Sequence, residues 1–516
     1  MQGKNIFLKI SVSVLAAAML LTGCTFEADV QTSDKDRDSS ATSRTTEPVT
    51  DEDTELTSVQ EPESGAGEEF EDLADYVGTL SDLVDGELAV EKKIKWLCWY
   101  EPDETQAAAE LFRQVYGIPE YGDTSYGDCA DSIFEFIPCD YEDRYSKLAQ
   151  LIAMGDSPDM FPFEIDNFPY TAVQGLFQPI DGYVDLTGPL WDGTREAIEQ
   201  FRWDGKNYAV SAELSVDEVM WYRRSVIAEA GLEDPYELYS TDSWTWDTFL
   251  DMCGRWQKSG DDKYGVDGWF VPDRLILTTG VPLIGISGGR LQSNLYSADI
   301  ERAMTDLIDV LSVKNYRYPR HDLNHWIPSV KEWAQGNTLF YAGSADCYKT
   351  DFQGYIRIYG WDIGELLCVP FPRDPKADAY YQSFKNDCCM LVTGSDNTVG
   401  FSAWVQCIAA CANDQTIARF TREQLKADYN CGDGLLDILD GIKYGGRLTP
   451  VFDFKNGIGQ DEDDSSSTYT PTFALTQIPY LSRSEHLEPA DFTTLRAANE
   501  DIIRERIEEL NASIAG

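Results

Sequence analysis

The sequence predicts an α/β protein built on a mostly parallel sheet, and three observations support this. From residue 92 onward, strand-like apolar runs alternate with amphipathic helical segments, an order that favours a parallel sheet with crossover helices. The 516 residues are enough for two or three ordinary domains. The 90 acidic residues against 41 basic ones argue against a nucleic-acid-binding protein, which needs a positive surface.

The first elements can be assigned in chain order. KKIKWLCWY (92–100) predicts a strand, and TQAAAELFRQVYG (105–117) predicts a helix with one apolar face and Gly117 as its C-cap. The next strand, helix and strand are predicted in SIFEFIPC, YEDRYSKLAQLIAMG and DMFPFEI. In such a sheet, ligands bind beyond the carboxyl ends of the strands. The loops there, WYEPDET and FEIDNF, are rich in aromatic and carboxylate side chains.

The N-terminus predicts export. Lys4 and Lys9 precede an apolar stretch of residues 10–21, which is too short to span a bilayer comfortably and is typical of a signal peptide. It ends in Leu-Thr-Gly-Cys, which resembles the lipobox of bacterial lipoproteins and implies that Cys24 carries a lipid. The alternative is an ordinary signal peptide with an incidental cysteine. Residues 25–90, acidic and poor in apolar pattern over most of their length, predict a disordered spacer; EDLADYVGTLSDLV within them could form a short helix.

Aromatic side chains are the clearest functional signal. The chain has 13 Trp and 27 Tyr, many of them beside turns rather than inside apolar strands. A flat ring stacks on the apolar face of a sugar, and the polar edges of Trp and Tyr can hydrogen-bond to its hydroxyl groups. For any single ring, however, a place in the core is the more common alternative.

Patterns typical of enzymes and metal sites are weak by comparison. GISGG (285–289) matches a nucleophile elbow, but no convincing helix follows it, so a plain turn is favoured. His321 and His325 have helical metal-pair spacing without a zincin glutamate, which favours a solvent-facing or capping role over a metal site. Cys407 and Cys411 lie four apart in AWVQCIAACAN, a predicted helix, where they fit a core face better than a metal site. No catalytic residue, metal site or cofactor is predicted.

Several ordered segments resemble family 1 extracellular solute-binding proteins. GLFQPIDGYVD (175–185) and FRWDGKNYAVSAELSVDEVMWYRRSVIAEAGL (201–232) resemble that family's approach to the first crossing, and Trp246-Asp247-Thr248-Phe249 resembles its next helix start. EWAQGNTLFYAGSADCY (332–348) and LCVPFPRDP (367–375) resemble the later return strand and loop. Two departures stand out, Ser211 in place of the usual proline and Ala345-Asp346 in place of the common tryptophan.

The resemblance implies a periplasmic-binding-protein-like fold, in which two interleaved α/β lobes close on a ligand. It suggests a first lobe at 91–211 and 344–398 and a second lobe at 212–343 and 399–516, after a 1–24 signal peptide and a 25–90 linker. Crossing segments are expected near 209–215 and 341–346, with Ser211 and Gly343 as hinge residues.

The resemblance and the strand-end loops together identify a candidate binding site. The expected function is that of the lipid-anchored substrate-binding protein of an ABC importer, facing the outside of the cell. Its expected partners are a sugar or oligosaccharide and a membrane permease, with no nucleic acid, and a monomeric state is expected. The alternatives are a lipid-anchored glycan hydrolase or lyase and a ligand-sensing binding protein. The residues predicted to contact ligand are Trp99, Tyr100, Glu164, Trp269, Ser344, Asp346, Tyr348 and Trp361.

Overall fold

The structure, a computed structural model, describes residues 72–104, 106–119, 131–319, 327–412, 414–459, 471–481 and 491–515. The predicted lipidation site Cys24, the spacer up to residue 71 and the histidine pair at 321 and 325 lie outside these ranges. Within them, no helix is long and apolar enough to cross a membrane.

Fifteen strands are described, and most of them are short. They are β1 (Ile94–Cys98), β2 (Phe134–Pro138), β3 (Met160–Pro162), β4 (Arg202–Trp203), β5 (Lys206–Asn207), β6 (Glu213–Val216), β7 (Glu218–Arg223), β8 (Tyr264–Gly268), β9 (Ile284–Ser287), β10 (Arg290–Ser293), β11 (Thr338–Ser344), β12 (Leu366–Val369), β13 (Tyr380–Asp387), β14 (Cys389–Leu391) and β15 (Leu448–Val451).

The α-helices surround these strands. They are α1 (Leu73–Gly78), α2 (Ala107–Tyr116), α3 (Arg144–Met154), α4 (Tyr170–Val173), α5 (Arg195–Gln200), α6 (Arg224–Glu229), α7 (Pro235–Ser240), α8 (Trp246–Gln257), α9 (Val271–Leu277), α10 (Ala298–Arg302), α11 (Asp309–Val313), α12 (Val330–Ala334), α13 (Gln353–Tyr359), α14 (Thr398–Ala412), α15 (Gln415–Tyr429), α16 (Asp433–Tyr444), α17 (Pro471–Leu481) and α18 (Phe492–Ala512). A π-helical turn, Ala303–Ile308, joins α10 to α11.

The first lobe is built on the sheet β14-β3-β1-β2, in which β1 runs parallel to both β2 and β3. Helices α2 and α14 cover one face, where the Trp404 ring lies 4.9 Å from that of Phe134. Leu148 and Leu151 of α3 belong to the core on the other face. The β-α-β-α-β order and the Gly117 C-cap, which has φ 77°, are therefore confirmed.

The second lobe is built on the sheet β12-β7-β11-β8. Strand β11 lies inside it, parallel to β8 and antiparallel to β7. The fully buried Trp221, Tyr222 and Phe340 fill the core around it. Because parallel β8 and β11 end at the edge where antiparallel β7 begins, that edge carries side chains from all three strands.

Crossing strands join the two lobes. β6 and β13 pair antiparallel from Glu213↔Asp387 to Val216↔Phe384, and β15 lies parallel to the other end of β13. Strand β6 leads into β7 of the second sheet, and β13 leads into β14 of the first. The expected crossing near 209–215 is therefore present. The one expected near 341–346 is not, because those residues include the end of β11, inside the second sheet.

The lobe boundaries also need correction. β12 was assigned to the first lobe but pairs with β7 of the second sheet, and α14 was assigned to the second lobe but packs on α2. Residues 72–90, placed in the linker, include the predicted short helix as α1, whose Val77 is fully buried. Each of these segments is held by apolar contacts distant in sequence, which a local pattern does not reveal.

Two local interpretations are confirmed. GISGG forms the turn of the β9–β10 hairpin, with Gly288 and Gly289 at φ 58° and 70°, and is not a nucleophile elbow. Cys407 and Cys411 are buried on α14. All cysteines in the described ranges are free thiols.

Candidate functional site

The carboxyl ends of β1, β2 and β3 form one edge of the first sheet. Trp99 and Tyr100 follow β1, Tyr141 follows β2, and Glu164 follows β3. Trp99 is partly buried, and Tyr100 is 43 % exposed. This edge therefore presents aromatic surface where a doubly wound sheet places its ligand.

Arg144, in the first turn of α3, organises these rings. Its guanidinium carbon lies 3.7 Å from the ring centroid of Tyr141, 4.8 Å from Tyr145 and 5.7 Å from Trp99. Trp99 and Tyr141 meet edge to face with their centroids 5.1 Å apart. We call Trp99, Tyr141, Arg144 and Tyr145 the first-lobe wall.

Glu164 holds this wall in place. Its carboxylate accepts hydrogen bonds from Arg144 Nε at 2.8 Å and Nη2 at 3.0 Å, and from the hydroxyls of Tyr145 at 2.6 Å and Tyr141 at 3.2 Å. Burial lowers the pKa of Arg144, and Glu164 more than offsets this, so the cation is firmly retained. Four donors fill the acceptor capacity of a carboxylate. Glu164 was predicted to contact ligand, but its geometry is that of a support for Arg144.

The second sheet offers a matching edge. Gly268 ends β8 with φ 140°, and a Cβ there would lie 2.2 Å from the carbonyl oxygen of Ala342. Only glycine therefore allows β8 to end so close to β11. Trp269 comes next, and its backbone N–H donates a hydrogen bond to the same Ala342 oxygen at 2.9 Å. This bond fixes the backbone position from which the indole side chain extends.

Phe270 follows in the left-handed region, with φ 44°, at the N-cap of α9. That conformation is strained for a bulky residue, and such strain clusters at functional sites. One turn on, Arg274 lies 5.7 Å from the Phe270 ring centroid and pairs with Asp217 at 2.5 Å and Glu218 at 3.3 Å. We call Trp269, Phe270 and Arg274 the second-lobe wall.

In each wall an arginine lies against at least one aromatic ring and pairs with a carboxylate. Burial lowers the pKa of Arg274, but nearby carboxylates outweigh this and raise it. One of those carboxylates is Asp166 of the first lobe, two residues after Glu164. The negative charge of Asp166 thus favours the Arg274 cation.

Glu218, at this edge of the second sheet, makes the stability of the protein depend on pH. It is 6 % exposed, and burial raises its pKa to about 8 against the opposing charge of Arg274. Because the folded state holds this proton more tightly than the unfolded state, the stability from Glu218 is full below about pH 4.5 and is lost as pH rises through about 8.

We expect Glu218→Gln to flatten the pH dependence of the free energy of unfolding. From about pH 5 to about pH 8, the wild type should lose on the order of a few kcal/mol that the variant keeps. Urea denaturation at a series of pH values measures this. Glu196→Gln, at an exposed position of α5, is the control and should follow the wild type. Parallel curves for wild type and Glu218→Gln would show that Glu218 ionises normally.

The structure brings some of the other predicted residues to the second edge. Ser344 ends β11 and is partly buried, and its carbonyl accepts the indole N–H of Trp221 at 3.0 Å. Asp346 is exposed and pairs with Lys349 at 2.7 Å. Both remain candidates for ligand contact.

Two predicted residues lie elsewhere. Tyr348 is 2 % exposed and packs 6.1 Å from the rings of both Trp221 and Tyr429, so it belongs to the core. Trp361 stacks on Arg223 at 4.1 Å. Arg223 is five residues along β7 from Glu218, roughly 16 Å at about 3.3 Å per residue, so Trp361 lies toward the opposite edge of the second sheet.

The two predicted hinge residues lie in different parts of the fold. Ser211 is fully buried in the first crossing and accepts a hydrogen bond from Asn386 Nδ2 at 3.1 Å. Gly343 pairs with Val219 inside the second sheet, where a Cβ would lie 2.9 Å from Cys347 Sγ. Gly343 therefore makes room for packing and does not lie at a crossing.

A small cavity lies beside the crossing strands. It measures about 170 Å³ and is lined by residues that include Thr194, Leu214, Phe384 and Lys443. Ligand pockets are typically about 300–1,000 Å³, and its lining includes no wall residue. We therefore assign ligand binding to the walls and not to this cavity.

Sequence reasoning missed five residues of the walls: Tyr141, Arg144, Tyr145, Phe270 and Arg274. An available signal was YEDRY (141–145), which begins two residues after the end of a predicted strand and has a tyrosine on each side of its arginine. The arginines were overlooked because an arginine on a helix is usually solvated.

Comparison with known proteins identifies a family model that matches part of the chain. Residues 131–371 match the family model described as "Bacterial extracellular solute-binding protein", which confirms the predicted relationship. That segment includes the strands β2 to β12 and every wall residue except Trp99. No curated protein matches the sequence.

Solved structures confirm the two-lobed fold. The GacH receptor of Streptomyces glaucescens, solved unliganded and with acarbose, has 14 % identity and a TM-score of 0.53, over 81 % of this chain and 99 % of its own. A binding protein from B. animalis subsp. lactis in complex with β-1,6-galactobiose has 13 % identity and a TM-score of 0.51, over 82 % and 98 %. UgpB from Mycobacterium tuberculosis, in complex with glycerophosphocholine, has 15 % identity and a TM-score of 0.52, over 81 % and 98 %.

Proposed function

We propose, from a chain whose residues 131–371 match the model of the bacterial extracellular solute-binding family, that this protein captures a saccharide between its two lobes for an ABC importer. The observation that carries the proposal is the pair of walls, in each of which an arginine lies against aromatic surface and pairs with a carboxylate. Ring faces suit the apolar faces of a sugar, and fixed polar groups beside them suit its hydroxyls. Acarbose and β-1,6-galactobiose, the ligands of two structural neighbours, support this class.

Capture would proceed by closure of the lobes. A ligand that contacts both walls favours the closed form only through contacts that the open form lacks. The crossing strands β6 and β13 are the segments about which the lobes would move, with Ser211 as a hinge residue. The closed form would then be presented to a membrane permease, and no covalent step is needed.

The ligand class is tested by calorimetry with acarbose, maltotetraose, β-1,6-galactobiose and glycerophosphocholine. We expect at least one saccharide to bind and to be recovered unchanged by chromatography after long incubation. Cleavage of a saccharide would favour the hydrolase or lyase alternative. Binding of glycerophosphocholine alone would overturn the saccharide assignment and leave the solute-binding role standing.

We expect the protein to compact when it binds its saccharide. Small-angle scattering should show a smaller radius of gyration with the saccharide that binds and no change with one that gives no heat. Closure brings the lobes together, whereas a fixed pocket would not alter the shape. Heat of binding without compaction would contradict the closure mechanism.

The lipobox makes a separate prediction about the anchor. We propose that the chain is held at the outer face of the cell membrane through Cys24, and Cys24→Ala should abolish lipid labelling and release the protein from the membrane fraction. Cys407→Ala, which alters a buried thiol on α14, is the control and should keep its label. Unchanged labelling of Cys24→Ala would show that the cysteine is incidental.

A further inference from the structure

A third crossing segment, residues 452–457, is fastened to the first lobe. The rings of Phe452 and Phe454 lie 4.8 and 5.6 Å from that of Phe201. The Tyr170 N–H donates to the Gly457 oxygen at 3.2 Å. A Cβ at Gly457 would lie 1.8 Å from the carbonyl oxygen of Phe168, so this close approach requires glycine.

The same segment is fastened to the second lobe by buried polar groups. The Asp453 side chain accepts the Ile284 N–H at 3.0 Å, and the Phe454 N–H donates back to the Ile284 oxygen at 2.9 Å. Lys455 Nζ lies 2.5 Å from Asp273 Oδ1, and each of these two residues is 5 % exposed. We call residues 452–457 the pivot segment.

The Lys455–Asp273 pair connects the pivot segment to the second-lobe wall. Asp273 lies in the first turn of α9, directly before Arg274 and three residues after Phe270. Its second oxygen accepts Gln477 Nε2 at 2.9 Å, which also ties it to α17. A buried charge separated from its partner costs several kcal/mol, so α9 cannot shift relative to Lys455 without a large penalty.

We propose that Lys455 is a positioning residue that makes the pivot segment and the second-lobe wall move as one unit. Ligand contact at Trp269, Phe270 or Arg274 would then be transmitted to the crossing between the lobes. The coupling role rests on the proposed capture between two lobes. The structural linkage itself is tested without any ligand.

The first test is native-state amide hydrogen exchange of the wild type at increasing urea. We expect residues 268–277 and 452–457 to open in one cooperative unit, with the same urea dependence. Opening of the two segments with different urea dependence would overturn the inference, and no variant has to fold for this result. Failure of the proposed function would appear separately, as an absence of heat in calorimetry.

The second test uses the double variant Lys455→Met/Asp273→Leu, which removes both charges of the pair at once. We expect amide protection at 268–277 to fall at least about tenfold and saccharide affinity to weaken by a similar factor. Lys455→Arg should keep both. The matched control is Arg302→Met/Asp374→Leu, which removes another largely buried pair, 2.6 Å apart, in the second lobe and should leave 268–277 unchanged. Full protection at 268–277 in a folded Lys455→Met/Asp273→Leu protein would refute the positioning role.

Discussion

Replacing Glu164 with alanine should lower the free energy of unfolding by on the order of 3 kcal/mol, because the buried cation of Arg144 would lose its counter-charge. The side chains of Glu164 and Arg144 are 14 % and 11 % exposed, so water compensates little. The hydroxyls of Tyr141 and Tyr145 would lose their acceptor in the same step. Urea denaturation near neutral pH measures the loss.

Two further variants separate the causes. Glu164→Gln keeps the shape and one acceptor oxygen but not the charge, so its stability should be intermediate. Asp192→Ala removes the partner of Arg195 from an exposed ion pair and should cost at most about 1 kcal/mol. The opposite result, a Glu164→Ala protein as stable as the wild type that no longer binds saccharide, would show that Glu164 contacts the ligand, as the sequence had predicted.

The first sheet could be predicted because its signals are local. β1, α2, β2, α3 and β3 each show their own periodicity, and Gly117 and Gly155 cap the two helices with positive φ. A parallel sheet then places the strand-end loops at one edge without further information. The positions of Trp99 and Tyr100 at this edge follow from the same reasoning.

The errors share one physical cause, which is packing between segments distant in sequence. β12 is an apolar run that fits either sheet, and only its pairing with β7 assigns it to the second lobe. Tyr348 follows a strand as Trp99 does, yet Trp221 and Tyr429 cover it. Trp361 stands beside a turn, but Arg223 holds it toward the opposite edge of the sheet.

The function of a residue at the site likewise depends on its neighbours. The sequence shows carboxylates near aromatic rings in the strand-end loops, which is why Glu164 was expected to contact ligand. It does not show that Arg144 and two tyrosine hydroxyls donate hydrogen bonds to both oxygens of that carboxylate. Acidic residues are abundant in this chain, so their proximity in sequence carries little information.

Trp99 and Trp269, one from each wall, allow a direct test of whether the ligand is held between the lobes. Trp99→Ala and Trp269→Ala should each weaken saccharide binding about tenfold, because each removes a ring from one wall. The walls belong to different lobes and share no described ring contact, so the two losses should multiply to about a hundredfold in the double variant. Isothermal titration calorimetry with the saccharide that binds the wild type measures all three.

The matched control is Trp361→Ala, which removes another partly buried tryptophan, from near the opposite edge of the second sheet. It should leave affinity unchanged and cost stability instead, since the guanidinium of Arg223 would lose the ring on which it stacks at 4.1 Å. If Trp269→Ala unfolds the protein while its folded fraction binds normally, then Trp269 is a core residue and the second-lobe wall is misplaced. If instead the double variant binds no more weakly than the single ones, the two rings do not act on one ligand. Because closure requires a ligand that contacts both lobes, the double variant should also fail to compact at saccharide concentrations that compact the wild type.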